Sequence, residues 1–248
     1  MAVEAPVLYN DWWVYLRDTM GSTHLNPNDK QIWNAYKMRA ALQAQGYCDK
    51  AIAGVIGNAQ VESSLTTGAI QKPSVLPNNG ETLADCTNQN MIDYYTPPAG
   101  TRGYGLGLLQ WDGRSSTYQQ HKLVGWTNAN GYLWYDGNGQ MARLAFEFAN
   151  DSTYHFWSLG YGQNLTWAVY KNIETSSSYS HYTARDCADV WRVCWEVGGD
   201  SSIAARKDNA AFWYNYFQEH PTPPFHGLPP WLLYQFNKKK VLKNVKRF

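Results

Sequence analysis

Charge is scarce in this chain, and what there is lies unevenly. Only 17% of the 248 residues are Asp, Glu, Lys or Arg. The last eleven, KKKVLKNVKRF, hold six Lys or Arg and no acid, so an overall formal charge of +1 leaves the remainder at −5. A body of that sign lacks the basic surface of a nucleic-acid binder, and nucleic acid is not an expected partner. Cysteine is sparse as well. Four residues (Cys48, Cys86, Cys187, Cys194) are too few for a disulfide scaffold. Cys187 and Cys194 share a face in a helical pattern but stand about 10 Å apart along the axis, too far to bridge. Free, mostly buried thiols are expected. No segment approaches eighteen apolar residues in a row, so no membrane span is expected. The stretch MAVEAPVLYNDWW has no basic run leading into an apolar one, so no signal peptide is expected either. The six His show no metal-ligand spacing, and neither a phosphate-cradling Gly loop nor a Ser-His-Asp signature is present. No metal or cofactor is implied.

Aromatic residues are plentiful. Twelve Trp and 18 Tyr bring Phe, Trp and Tyr together to 15%. Such rings serve either as core or as flat walls for a ligand with apolar faces, such as a sugar. Length allows one large domain, or one domain with appendages. Residues 1–29 read as an N-terminal arm or short extra helix. Residues 30–219 carry the periodic segments, and 220–248 join a Pro-rich linker, HPTPPFHGLPPW, to the basic tail.

Within the central part, Asp29 is the expected cap of a helix running to Gln45 and stopped by Gly46. Asp49 is expected to cap a second, KAIAGVIGNAQVESSL, whose Ile52, Val55, Ile56 and Ala59 recur at helical spacing. Residues 66–100 are rich in Pro, Asn, Thr and Gly and read as a long loop with a short helix near MIDYY; its Glu81, Asp85 and Asp93 read as solvated. RGYGLGLLQWDGR alternates Gly with larger residues and ends in a turn, as a short β-hairpin does. Helical patterns follow at about 139–149, 163–174, 183–197 and 203–219, with Thr183 and Asp186 forming a cap for the third. Glu196 and Arg206 read as a structural pair joining two late helices.

Glu62 stands on the flank of the apolar stripe, near the helix C-terminus. Partial burial and the negative end of the helix dipole both disfavour a carboxylate there, so a raised pKa and a general-acid role are expected. A structural ion pair is the alternative.

The segments GNAQVES and YGLGLLQW, in that order, resemble the paired signature of the lysozyme and lytic-transglycosylase superfamily. The stretch GTRGYGLGLLQWDGRS is similar to the hairpin of goose-type lysozymes, and the pattern over roughly 30–219 resembles the lysozyme domain of bacteriophage tail proteins. This resemblance implies a mostly helical α+β, lysozyme-like domain with a small β-hairpin. It implies cleavage of the β-1,4 glycosidic bond of peptidoglycan glycan strands, with Glu62 as catalytic acid. Asp112 matches an Asp that positions the attacking water, and Ser63 and Gln110 match groups of the cleft wall. Tyr104 and Trp111 flank the hairpin and are candidates for stacking on sugar rings or for core. A second family acid falls at Thr101 here, a departure that leaves an inverting hydrolase and a lytic transglycosylase both open. An endolysin released at lysis and a non-catalytic, sugar-binding virion component are the rival readings. The resemblance to tail proteins favours a virion location, with action at the host cell wall and the tail WLLYQFNKKKVLKNVKRF docking to other virion proteins.

Overall fold

The computed structural model describes residues 7–9, 13–15, 27–71, 73–80, 84–94, 104–111, 123–150, 165–196 and 200–222. Two short strands, β1 (Val7–Tyr9) and β2 (Trp13–Tyr15), pair antiparallel with Leu8 opposite Val14. Helices follow: α1 (Asp29–Ala44), α2 (Asp49–Ser63), α3 (Asn88–Tyr94), α4 (Leu123–Ala129), α5 (Gly137–Asn150), α6 (Trp167–Lys171), α7 (Ala184–Trp191) and α8 (Ile203–Glu219). The α7 helix continues into a π-helical turn, Arg192–Glu196.

Sequence explains the helix ends, though not always at the expected residue. Asn28, not Asp29, caps α1: its Oδ1 accepts from the Gln31 N–H at 3.0 Å, while Gln31 Oε1 accepts from the Asn28 N–H at 2.9 Å. Gly46 then breaks the chain at φ +85°, a conformation that strains residues with a Cβ. Cys48 is the N-cap of α2 and supplies no side-chain bond; Asp49 lies inside the first turn, near the positive end of the helix dipole. The Thr183–Asp186 capping box on α7 is formed.

The core is organised around α2. Residues 51–60 are buried on every face, because α7 and α8 pack on one side and α1 on another. Two glycines allow the close crossings. A Cβ on Gly54 would stand 2.8 Å from the Cys187 backbone of α7, and one on Gly57 would stand 2.6 Å from the Ala210 nitrogen of α8. Trp134, Trp191 and Trp213 are fully buried, so much of the aromatic content is core. The four thiols are free; Cys86, Cys187 and Cys194 are buried and Cys48 is partly so.

The fold is mostly helical, and the small β-hairpin expected near 102–114 is not confirmed among the described residues. The stretch expected as a hairpin is described over 104–111, where a single bridged pair, Leu106 with Trp111, closes a four-residue turn and Ile70 bridges Leu106. Among the described residues that is a pinched turn closed by one bridged pair. In the 66–100 region, α3 lies where a short helix was expected. It is locked to the following chain, since Asn88 Oδ1 accepts from the Trp134 N–H at 2.9 Å and the Trp134 indole donates to the Cys86 carbonyl at 2.7 Å. Asp85 is buried and accepts from Asn78 at 3.0 Å, contrary to the solvated reading. Helix α4 had no expectation attached to it. Among the described residues no helix is long and apolar enough to cross a membrane.

Candidate active site

Glu62 sits in the last turn of α2, and its position is overdetermined. Just beyond it the chain enters two successive left-handed residues, Ser64 (φ 53°) and Leu65 (φ 60°). Such backbone is costly for residues with a Cβ and persists where its surroundings hold it. Helix α1 does so: Gln31 donates to the Ser64 carbonyl at 3.2 Å and Asn34 to the Leu65 carbonyl at 2.8 Å. Ser63 ties the helix end to the pinched turn, its hydroxyl lying 2.8 Å from the Leu108 carbonyl and 2.9 Å from that of Ala59. Gln60 accepts from the Trp213 indole of α8 at 2.6 Å.

The turn is clasped from behind by Gln140 of α5, which is fully buried. Its Oε1 accepts from the Leu108 N–H at 2.9 Å, and its Nε2 donates to the Thr67 carbonyl at 2.7 Å and the Trp134 carbonyl at 2.9 Å. Gly107, at φ +74°, leaves room for that amide: a Cβ there would lie 2.7 Å from Nε2. Nothing in the local sequence pattern marked Gln140.

Of the two surroundings expected for Glu62, the structure shows the ion pair. In place of a mainly apolar flank it meets the guanidinium of Arg206, from α8. Arg206 Nη2 pairs with Glu62 Oε1, and its Nη1 pairs with Glu196 Oε2 from the π turn after α7. Nη1 also donates to Asn58 Oδ1 at 2.7 Å and Nε donates to Ser202 Oγ at 2.9 Å. Asn58 is itself fixed, since its amide nitrogen donates to the carbonyls of Gly54 (2.8 Å) and Ala188 (2.9 Å). The Arg206 and Glu196 side chains are each 6% exposed, whereas that of Glu62 is 25% exposed. Of the three, Glu62 is the one open to a ligand. Burial pushes the Glu196 carboxyl up to about 8; Arg206 opposes the shift and Glu62 adds to it.

The other expected site residues divide. Gln110, half-buried at φ 50°, folds back over its own turn and donates to the Gly107 carbonyl at 3.0 Å. Ser63 is buried beside Glu62 with its hydroxyl committed to backbone carbonyls, so it holds the helix end. Tyr104 is half-buried against the core. Trp111 is buried: its indole donates to Glu147 Oε1 at 2.8 Å and its ring meets Trp195 edge-on at 5.8 Å. Of its two readings, stacking or core, core is the one observed. Asp112 and Thr101 lie outside the described residues. The Glu196–Arg206 pair expected between two late elements is formed, and Arg206 also holds Glu62. Among the described residues no cluster of three or more His, Cys, Asp or Glu is suited to a metal ion.

A family model described as phage tail lysozyme matches residues 33–217, about three quarters of the chain. The chain belongs to the phage tail lysozyme family. The match includes Glu62, Glu196 and Arg206, so the whole triad lies within the family's domain. As a member, the chain is a phage-associated enzyme acting on the peptidoglycan of the cell wall.

Proposed function

We propose that this phage tail lysozyme is a virion-associated glycosidase that cleaves the β-1,4 bond of peptidoglycan glycan strands with Glu62 as general acid, aiding entry. The observation that carries the reading is the placement of Glu62: a partly open carboxyl on a rigidly held helix end, backed by a buried guanidinium. In the reaction, Glu62 gives its proton to the glycosidic oxygen as the C1–O bond breaks and an oxocarbenium-like centre develops. A water then bonds to C1, with Asp112 positioning it and accepting its proton. The carboxylate left on Glu62 is stabilised by Arg206 as it forms.

The lytic transglycosylase reading is supported by one specific feature, Thr101, which stands where the goose-type pattern has a second acid. There the substrate's own hydroxyl attacks C1 in place of water. The family's description as a tail lysozyme and the basic segment 238–248 support a place in the virion over free release at lysis. The segment beyond 222 is proposed to dock to other tail proteins. The catalytic unit is proposed to run a little past 219, because α1 holds the next two residues: Tyr36 donates to the His220 carbonyl and Arg39 to that of Pro221 at 3.0 Å.

The deciding experiment is turbidity clearing of purified walls by Glu62→Gln. A loss of more than about 10²-fold with the fold retained is the scale of a removed general acid. Clearing within a few-fold of wild type would remove Glu62 from the role and favour a sugar-binding virion component. Masses of the released muropeptides separate the two chemistries, with a reducing end for the hydrolase and a 1,6-anhydro end for the transglycosylase.

A further inference from the structure

Arg206 joins two carboxyls, and the scheme above uses only one of them. With Glu62 and Glu196 both ionised, the triad carries a net charge of −1 around a guanidinium only 6% exposed. One bound proton brings it to zero. Unbalanced charge is costly away from water, so a cluster of two acids and one base favours holding one proton between the acids.

We propose that Glu196 is the second carboxyl of the active site, sharing Arg206 with Glu62 so that the guanidinium pairs with whichever of the two is ionised and Glu62 is free to carry the proton it donates. The proposal rests on the reading of Glu62 as the acid. Its geometry is direct, because adjacent nitrogens of one guanidinium face the two carboxyls. Asn58 and Ser202 hold Arg206 in place, so the base stays put while the proton changes owner. Glu196 is delivered by a π-helical turn, a departure from α geometry found frequently at functional sites. Its other oxygen, Oε1, is buried, and burial outweighs the neighbouring Trp191 indole, which works to lower the carboxyl's pKa.

The charged groups acting on Glu196 are Arg206 of α8 and Glu62 of α2. The neighbouring charges of α7 and α8 are engaged with one another, Asp189 with Arg192 at 2.9 Å and with Lys207 at 3.1 Å. Burial, which pushes Glu196 up to about 8, places the resting proton there at neutral pH. A sugar laid over Glu62 removes its remaining water and favours its neutral form. Arg206 then answers the Glu196 carboxylate, with the proton exchanging through solvent. When Glu62 protonates the leaving oxygen, the new carboxylate forms beside a cation already in place. Glu196 is thus a positioning residue that acts through Arg206 and touches no sugar.

The test combines the pH profile of wall clearing with NMR titration of carboxyl-labelled protein, in wild type, Glu196→Gln, Glu196→Asp and Glu62→Gln. In wild type the alkaline limb, where activity falls, is expected near the Glu196 titration at about 8. Glu196→Gln should move that limb down by about one pH unit or more, a tenfold change in protonated fraction per unit. Glu196→Asp should move it part of the way back. Glu62→Gln should lower the Glu196 titration by removing a like charge. A folded Glu196→Gln whose activity drops by the same factor at every pH overturns the proposal. If that variant does not fold, a Glu196 titration indifferent to Glu62→Gln overturns it equally. The titrations need no substrate, so failure of wild type to clear walls would count against the glycosidase reading alone.

Discussion

The protein holds a second buried Arg–Glu centre, and comparing the two shows what sets a reactive cluster apart from a structural one. On α5, Arg143 and Glu147 lie one turn apart with side chains wholly buried and 3.1 Å between Nη2 and Oε1. Both oxygens of Glu147 receive indole donors, from Trp111 at 2.8 Å and Trp195 at 3.2 Å. One acid meets one base, each carboxylate oxygen is satisfied, and neither side chain opens to solvent, although Arg143 Nε and Nη1 are buried without a hydrogen-bond partner. At Glu62 the count is two acids to one base, and one carboxyl is a quarter exposed. Balance and closure make the α5 pair inert. Imbalance and a single opening give the α2–α8 triad a proton to use.

The comparison can be broken at its structural end first. Arg143→Met should remove about 3–5 kcal/mol, the range for stranding one partner of a buried ion pair, read from the urea midpoint. The folded fraction should still clear walls, since Arg143 touches no member of the triad and Glu147 approaches it only through Trp195. Loss of activity per folded molecule would mean that the two centres are coupled. Gly57→Ala tests the packing that sets Arg206 against Glu62. Its Cβ would run into the Arg206 carbonyl at 2.8 Å and the Ala210 nitrogen, both backbone atoms that cannot rotate away. A loss of about 1–3 kcal/mol is expected, with reduced clearing; unchanged stability would show that the helices separate at little cost.

The pH dependence of stability tests the proton held by the triad itself. Glu196 titrates at about 8 in the folded protein against 4.5 as its ordinary value. Between those values the folded state keeps a proton that the unfolded chain has released. This contribution is therefore full below about 4.5 and is lost as pH rises towards about 8. Wild type should melt lower at pH 8 than at pH 5 by more than Glu196→Gln does, on a scale of roughly 2–4 °C per kcal/mol. Parallel curves for the two proteins would show that Glu196 holds its proton no more tightly in the folded state than in the unfolded chain.

Local features were the readable part of the sequence. The apolar stripe of α2, the Gly46 stop and the Thr183–Asp186 box each depend on residues within a turn or two, and each is present in the structure. Glu62 was readable because a short motif names it. Arg206 and Glu196 follow it by 144 and 134 residues and reach it only through the α2, α7 and α8 crossings, which no local pattern encodes. The alternating glycines announced a turn at 104–111 but not which side its rings would face. Trp111 turns inward because Glu147 offers its indole a buried acceptor. Helix α4 is seven residues long and shows too little periodicity to announce itself, while the α1 cap was displaced by one residue because Asn28 and Gln31 satisfy each other.

The anchoring of His220 and Pro221 on α1 has a mechanical consequence. A pull applied to the chain beyond Thr222 is first borne by the seam between α1 and the end of α8, where Tyr36 meets Phe217 edge-on at 5.2 Å and Arg39 covers the same ring at 4.8 Å. Strand β2 lies against α1 as well, so load arriving through the arm enters the same helix. Arg206 is fourteen residues back from His220, roughly 21 Å along the helix axis. Tension from either attachment thus enters α1, whose Gln31 and Asn34 also hold the Ser64 and Leu65 carbonyls just past Glu62, so a pull on the chain reaches the end of α2 that carries the acid.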